Sequence, residues 1–110
     1  MGEETGIQID VAGLRNLIST GADVDLIDVR EPWEVDICSI ADSRSIPLGD
    51  LQRRAGELAP EKTMVVICHH GMRSYQATLW LRQNGFDKVV NLAGGIDAWA
   101  REIDPGMARY

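Results

Sequence analysis

Apolar positions change their spacing repeatedly along the chain, and each change marks an element. Ile7-Gln8-Ile9 alternates, which predicts a short first strand. Val11, Leu14, Leu17 and Ile18 then recur at helical spacing, with Asp10 placed to cap the helix and Gly21 to end it. Leu26-Ile27-Asp28-Val29 predicts a second strand, and Pro32 after Glu31 suits the first turn of a short helix. Ser43 to Ile46 reads as a weaker third strand, stopped by Pro47. Leu48, Leu51, Ala55 and Leu58 share one face of a helix predicted over 48–58, and Pro60 ends it. Met64-Val65-Val66-Ile67, rich in β-branched residues, predicts a buried strand. Tyr75 to Asn84 predicts a helix ending before Gly85. Val89-Val90-Asn91 predicts a last strand, and a helix from Ile96 to about Glu102 follows Gly94-Gly95. Pro105-Gly106 closes the ordered part, leaving the tail to Tyr110 without an element.

Strands and helices thus alternate, which predicts an α/β fold of βαβ units: a mostly parallel sheet with helices on both faces. No repeat or linker divides the 110 residues, so one domain is expected over 1–110, with a core about 7–103 and a tail 104–110. Hydrophobic residues at 45% and charged residues at 25% match an ordinary globular chain rather than a disordered one. The net charge of −6 argues against nucleic acid as a partner, because that would need a basic face. It also means that an anionic substrate must be drawn by local positive potential rather than by the field of the whole protein. No apolar run approaches membrane-spanning length, so no membrane partner is expected. Met1 to Gly6 is acidic and lacks the apolar region of a signal peptide. With two cysteines and no C-x-x-C pair, a reducing cytoplasm is the expected compartment.

The candidate chemistry lies in Cys68-His69-His70-Gly71-Met72-Arg73-Ser74. This stretch puts a cysteine at the carboxyl end of a buried strand, just ahead of a helix, where ligands bind in open α/β sheets. The first N–H groups of a helix have no partner within it and favour a nearby anion. Arg73 adds positive charge. Together they are expected to lower the Cys68 pKa, as helix N-termini can lower a thiol from ~8.5 to roughly 3.5–7.5. Gly71 lets the loop curl through conformations with positive φ and present several N–H groups to one anion. An arginine near a helix start opposes the dipole, so Arg73 is expected to sit beside an anion. The plainer reading of Cys68 is a buried structural thiol, and of Arg73 a solvated one; their spacing around a glycine loop favours chemistry.

Here the chain resembles the rhodanese-like domains, sulfurtransferases of thiosulfate and persulfides. Cys68 to Arg73 resembles their six-position active-site loop. Leu26-Ile27-Asp28-Val29-Arg30-Glu31-Pro32 is similar to the family's Asp-Val-Arg-Glu box, and Ile46-Pro47-Leu48 to its strand-to-helix turn. Gly85-Phe86, Val89 and Leu92-Ala93-Gly94-Gly95-Ile96-Asp97-Ala98-Trp99 resemble its carboxyl-terminal signature. The tail from Ile103 through Tyr110 is similar to tails of small stand-alone members and of domains fused to adenylyltransferases. All the boxes occur in order over nearly the whole chain. One departure stands at Cys38-Ser39-Ile40-Ala41-Asp42-Ser43, where the family usually has Gly-His-Ile-Pro-Gly-Ala; another is Ser45 for a common Asn.

The resemblance implies a rhodanese-like fold with a five-stranded sheet. It also implies that Cys68 takes sulfane sulfur as a persulfide, with no metal or organic cofactor. His69, His70, Gly71, Met72, Arg73, Ser74 and Arg30 are the candidate substrate contacts. The donor would be a small molecule such as thiosulfate, and the acceptor a thiol or a protein. Two other classes stay open. A small phosphatase or arsenate reductase would also use a thiolate and an arginine, but related phosphatases have one residue more in the loop. A non-catalytic sulfur-relay or protein-binding module would keep the cysteine. His69 and His70 with Cys68 suggest a metal, yet neighbours in a tight loop rarely converge on one ion and no fourth ligand is evident. Asp28 and Arg30 are read equally as a structural ion pair. Cys38 is either a small buried hydrophobe or a resolving thiol for Cys68. Trp33, Trp80 and Trp99 are expected in or partly in the core. The oligomeric state has no signature in the sequence.

Overall fold

A computed structural model describes residues 6–110; the reading of the acidic start at Met1 to Thr5 lies outside them. In chain order the elements are β1 (Gln8–Ile9), α1 (Val11–Ser19), β2 (Val24–Asp28), α2 (Pro32–Ile37), β3 (Arg44–Ser45), α3 (Leu51–Arg54), β4 (Thr63–Ile67), α4 (Met72–Gln83), β5 (Val89–Leu92) and α5 (Gly95–Glu102). The strands form one five-stranded sheet in the order β1-β5-β4-β2-β3. Every pairing is parallel.

β4 is the middle strand, and both of its faces are covered. Met64, Val66 and Cys68 pack with Leu51, Ala55, Ala77, Leu81 and Phe86 on the side of α3 and α4. Val65 and Ile67 pack with Val11, Leu14, Ile96 and Trp99 on the side of α1 and α5. Burial on both faces is why this strand is a continuous apolar run instead of an alternating one. The period-2 geometry of the strand also places Cys68 on the α3/α4 side. At the start of α1, the Asp10 side chain accepts from the Gly13 N–H at 2.8 Å, the cap that its position predicts.

Three local readings change. The helix after Cys68 starts at Met72, three residues earlier than Tyr75, because the Gly71 carbonyl already accepts from the Tyr75 N–H at 3.2 Å. The stretch 48–58 is not one helix: 3-10 turns at Leu48–Asp50 and Ala55–Glu57 flank the short α3. Gly49 and Gly56 lie in those turns, where low helix propensity favours the tighter winding. Trp33 is 60% exposed, not core, while Trp80 is partly buried and Trp99 is buried. In the unusual segment before β3, Asp42 takes a left-handed conformation with φ 67°. The resembled pattern has glycine at that place, and aspartate is among the few other residues that tolerate the conformation.

Because the sheet is parallel, the connections leaving β2, β4 and β5 emerge at one edge. The segments Val29–Glu31, Cys68–Gly71 and Ala93–Gly94 therefore meet there, and that edge carries the candidate site.

Candidate active site

Cys68 is 1% exposed. Its Sγ accepts from the Gly71 N–H at 3.0 Å and lies 3.2 Å from Ser74 Oγ. Gly71 makes the first contact possible by adopting φ 106°, which turns its amide back toward the sulfur. An N–H aimed at sulfur favours a negatively charged atom there. One further constraint comes from β5: Asn91 Nδ2 donates to the Gly71 carbonyl at 3.1 Å.

The loop is also held from the opposite side. The Ile96 N–H donates to the Cys68 carbonyl at 2.9 Å and the Asp97 N–H to the His69 carbonyl at 3.0 Å. These are orphan donors of the first turn of α5, so that helix start is committed to the loop and not to a substrate anion. At the start of α4, by contrast, the N–H of the N-cap residue Gly71 is aimed at the sulfur.

Arg73 does have an anion beside it, and the anion belongs to the protein. Its Nη1 and Nη2 donate to Glu34 Oε1 and Oε2, each at 2.7 Å. Glu34 is 3% exposed and sits in the first turn of α2. Its carboxylate also accepts from the Glu31 N–H at 2.9 Å and from the Tyr110 hydroxyl at 2.8 Å. The bidentate arginine, with these further donors, holds the Glu34 carboxyl down at about 2. The positive charge expected from Arg73 is therefore half of an ion pair.

Arg30 is fully buried and its five N–H groups all have protein acceptors: both Asp28 oxygens, the Glu34 and Cys38 carbonyls and the Tyr110 hydroxyl. None is left for a substrate, so the expected contact from Arg30 becomes a framework that ties β2 to α2 and the tail. The Asp28–Arg30 pair, 2.8 Å apart, is part of that framework.

Tyr110, at the end of the unassigned tail, lies against the loop. Its ring stacks on His69 with centroids 3.9 Å apart and planes 9° apart. His69 Nε2 lies 3.1 Å from the Tyr110 carbonyl oxygen. Burial, then the neighbouring His70, push the His69 imidazole below its ordinary pKa. His70 and Met72 are exposed on the rim, Met72 by 75%. His69, His70 and Asp97 bring ligand atoms within 4.8 Å of one another. Yet the two Asp97 oxygens already accept from Arg101 and Arg109, both at 3.1 Å, which suits ion pairing better than a metal. Cys38 is half-buried against the α1/α5 core and lines a shallow cleft with His69, Ile96, Asp97 and Tyr110; Cys68 is not on its wall.

Glu34, Asn91 and Tyr110 were not among the expected site residues. Glu34 had a local signal, since an acidic residue three positions after Glu31 in Glu31-Pro32-Trp33-Glu34 fits a helix start. Asn91 is a polar residue in an apolar strand, which asks for a buried partner. Tyr110 had none beyond its place in a tail similar to other tails.

The Glu34–Arg73 pair makes stability depend on acid. A carboxyl whose pKa is lowered on folding adds stability that is complete above its unfolded value, near 4.5, and is lost as pH falls toward about 2. Glu34→Gln should flatten that part of the stability curve, with a loss of up to about 3 kcal/mol at neutral pH. The side chain of Arg73 is 36% exposed, so water discounts that figure. Urea denaturation at a series of pH values measures it; an unchanged slope between pH 5 and pH 2 would contradict the assignment.

The comparisons with known proteins agree with the geometry. A family model for the rhodanese-like domain matches residues 10–102. A sulfurtransferase of Allochromatium vinosum is 38% identical over 101 residues, covering 92% of this chain and 94% of the relative. The probable adenylyltransferase/sulfurtransferase MoeZ of Mycobacterium tuberculosis is 36% identical over 107 residues, covering 96% of this chain but only 27% of the larger protein. The crystal structure of a rhodanese-related protein from Thermoplasma volcanium superposes with a TM-score of 0.81 at 37% identity, covering 88% of this chain and 93% of the other. A parallel sheet carrying a cysteine loop at its carboxyl edge, matched over almost all of its length, makes this chain a member of the rhodanese-like domain family, related to sulfurtransferases.

Proposed function

We propose that the chain transfers sulfane sulfur through a persulfide on Cys68, with thiosulfate or a persulfide as donor. The observation that carries this reading is Cys68 Sγ beneath a curled loop, 3.0 Å from the Gly71 N–H. In the first half-reaction the Cys68 thiolate attacks the outer sulfur of thiosulfate. A new S–S bond forms, the old one breaks, and sulfite leaves with its electron pair. The N–H groups at the start of α4, around Met72 and Arg73, receive the negative outer sulfur. In the second half-reaction an acceptor nucleophile attacks that sulfur and the Cys68 thiolate returns. The acceptor is cyanide in an assay, and a thiol or a protein thiol in the cell. Ping-pong kinetics follow from the covalent intermediate. Arg73 contributes charge in partnership with Glu34, while His69, His70 and Met72 form the rim.

Loop length separates this reading from phosphoryl transfer: the loop is one residue shorter than that of the related phosphatases.

Mass spectrometry of the intact protein after thiosulfate treatment tests the proposal. A gain of one sulfur atom, reversed by cyanide or dithiothreitol, is expected; no gain, with the protein folded, counts against this chemistry. The 1% exposure of Cys68 favours a second reading, a sulfur-relay module whose rim opens only against a partner. Turnover with thiosulfate and cyanide separates the two. An enzyme cycles at a rate comparable with single loading, whereas a relay module loads once and turns over poorly without its partner.

A further inference from the structure

Asn91 is 1% exposed on β5. Its Nδ2 donates to the Gly71 carbonyl at 3.1 Å and to Gln8 Oε1 at 3.0 Å. A backbone carbonyl only accepts, so the amide has one sensible orientation: nitrogen toward Gly71, Oδ1 toward Ser74. Oδ1 also only accepts, and it lies 2.5 Å from Ser74 Oγ. The same Oγ lies 3.2 Å from Cys68 Sγ. A serine hydroxyl has a single proton for these two acceptors. While that proton points at Asn91, Oγ offers the sulfur only lone pairs. Lone pairs suit an S–H donor and oppose a thiolate.

We propose that Asn91 is a positioning residue that holds the Ser74 proton away from Cys68 in the resting thiol, and that this proton turns to the sulfur when Cys68 becomes charged. On ionisation the thiol proton leaves to the buffer. Ser74 rotates about its Cβ–Oγ bond, the O–H···Oδ1 hydrogen bond breaks and an O–H···Sγ hydrogen bond forms. No proton passes between Ser74 and Asn91. Asn91 Oδ1 is then left buried without its donor, which has a free-energy cost. Asn91 Oδ1 and a charged sulfur therefore compete for the one Ser74 proton. For turnover, the inference rests on the sulfur-transfer reading above: the Ser74 proton reaches the sulfur only when Cys68 carries charge.

Other charges surround the same sulfur. Arg73 and Glu34 pair beside it, His69 and His70 are on its loop, Asp28 and Arg30 close the end of β2, and Asp97 and Tyr110 approach from α5 and the tail. These groups are shared by every variant compared below, so differences between variants report Ser74 and Asn91.

The test is the pH dependence of Cys68 alkylation by iodoacetamide, followed on the Cys68 peptide so that Cys38 does not contribute. Parent, Asn91→Ala, Ser74→Ala and the double variant are compared. Asn91→Ala frees the Ser74 proton for the sulfur, and the alkylation midpoint should fall by about one pH unit. In the Ser74→Ala background the same change should have no effect. An unshifted or raised midpoint in Asn91→Ala, or equal shifts in both backgrounds, overturns the proposal; the second result would assign Asn91 only to loop support. Should Asn91→Ala fail to fold, the infrared S–H stretch of the parent decides. It is expected at the lowered frequency of a hydrogen-bonded donor and to rise in Ser74→Ala, and equal frequencies refute the arrangement. Alkylation does not depend on sulfur loading. A protein that shows the coupling but takes no sulfur from thiosulfate retires the sulfurtransferase reading and leaves Asn91 standing, and the converse result does the opposite.

Discussion

Gly95→Ala should lower stability by about 2–4 kcal/mol and disorder the cysteine loop. Two independent terms add. Gly95 has φ 62°, where a residue with a Cβ is strained. A Cβ built there would lie 2.5 Å from both the Cys68 and the His69 carbonyl oxygens and 2.7 Å from the His69 carbonyl carbon. All three are backbone atoms, so no side chain can turn aside to relieve the contact. The same carbonyls accept the Ile96 and Asp97 N–H groups, and pushing them away breaks the clamp between α5 and the loop. A thermal midpoint lower by at least about 8 °C is expected, together with faster alkylation of Cys68 as its cover loosens. Gly56→Ala is the control, since a Cβ there meets nothing within 4 Å. If the two variants melt alike, the close packing of α5 on the loop is wrong.

Removing the sulfur should have the largest effect on activity. Cys68→Ala is expected to cut turnover with thiosulfate and cyanide by at least about a thousandfold and to abolish the sulfur mass gain. No other group beside it can carry sulfane sulfur: Ser74 is a hydroxyl, and Cys38 packs against the other core. The fold should survive. The substitution removes one buried sulfur atom from the α3/α4 core and a single N–H contact, a loss of about 1–2 kcal/mol. A folded Cys68→Ala protein that keeps a tenth or more of parental turnover would remove Cys68 from the mechanism and turn attention to Cys38.

Much of the fold was legible because its signals are local. The β-branched run before Cys68, the Asp10 cap and the Pro32 start each involve neighbours within one turn or strand, and each forms as expected. Errors arose where local signals were weak. Around 48–58 the apolar spacing suggested one helix, but Gly49 and Gly56 let the chain wind into 3-10 turns. Trp33 looked like packing material by composition, and its exposure follows from where α2 sits. For the site, Cys68, the turn at Gly71 and the helix behind them could be read from seven adjacent residues. What those residues bond to could not. Arg73 was expected to meet an anion, and its partner Glu34 is 39 positions away. The Tyr110 hydroxyl reaches the same carboxylate across 76 positions.

By itself, then, the amino-acid order determined the alternation of strand and helix, the family, and the placement of one cysteine between a buried strand and a helix start. Periodicity and capping act between near neighbours, so they are written in short stretches. Only the tertiary structure decided that Arg30 is bonded on every side by protein, that Arg73 is paired with Glu34, and that Ser74 Oγ lies within hydrogen-bonding distance of both Asn91 Oδ1 and the sulfur. Those arrangements depend on the strand order β1-β5-β4-β2-β3, which brings distant connections to one edge of the sheet. Spacing along a chain carries no record of which strands lie side by side.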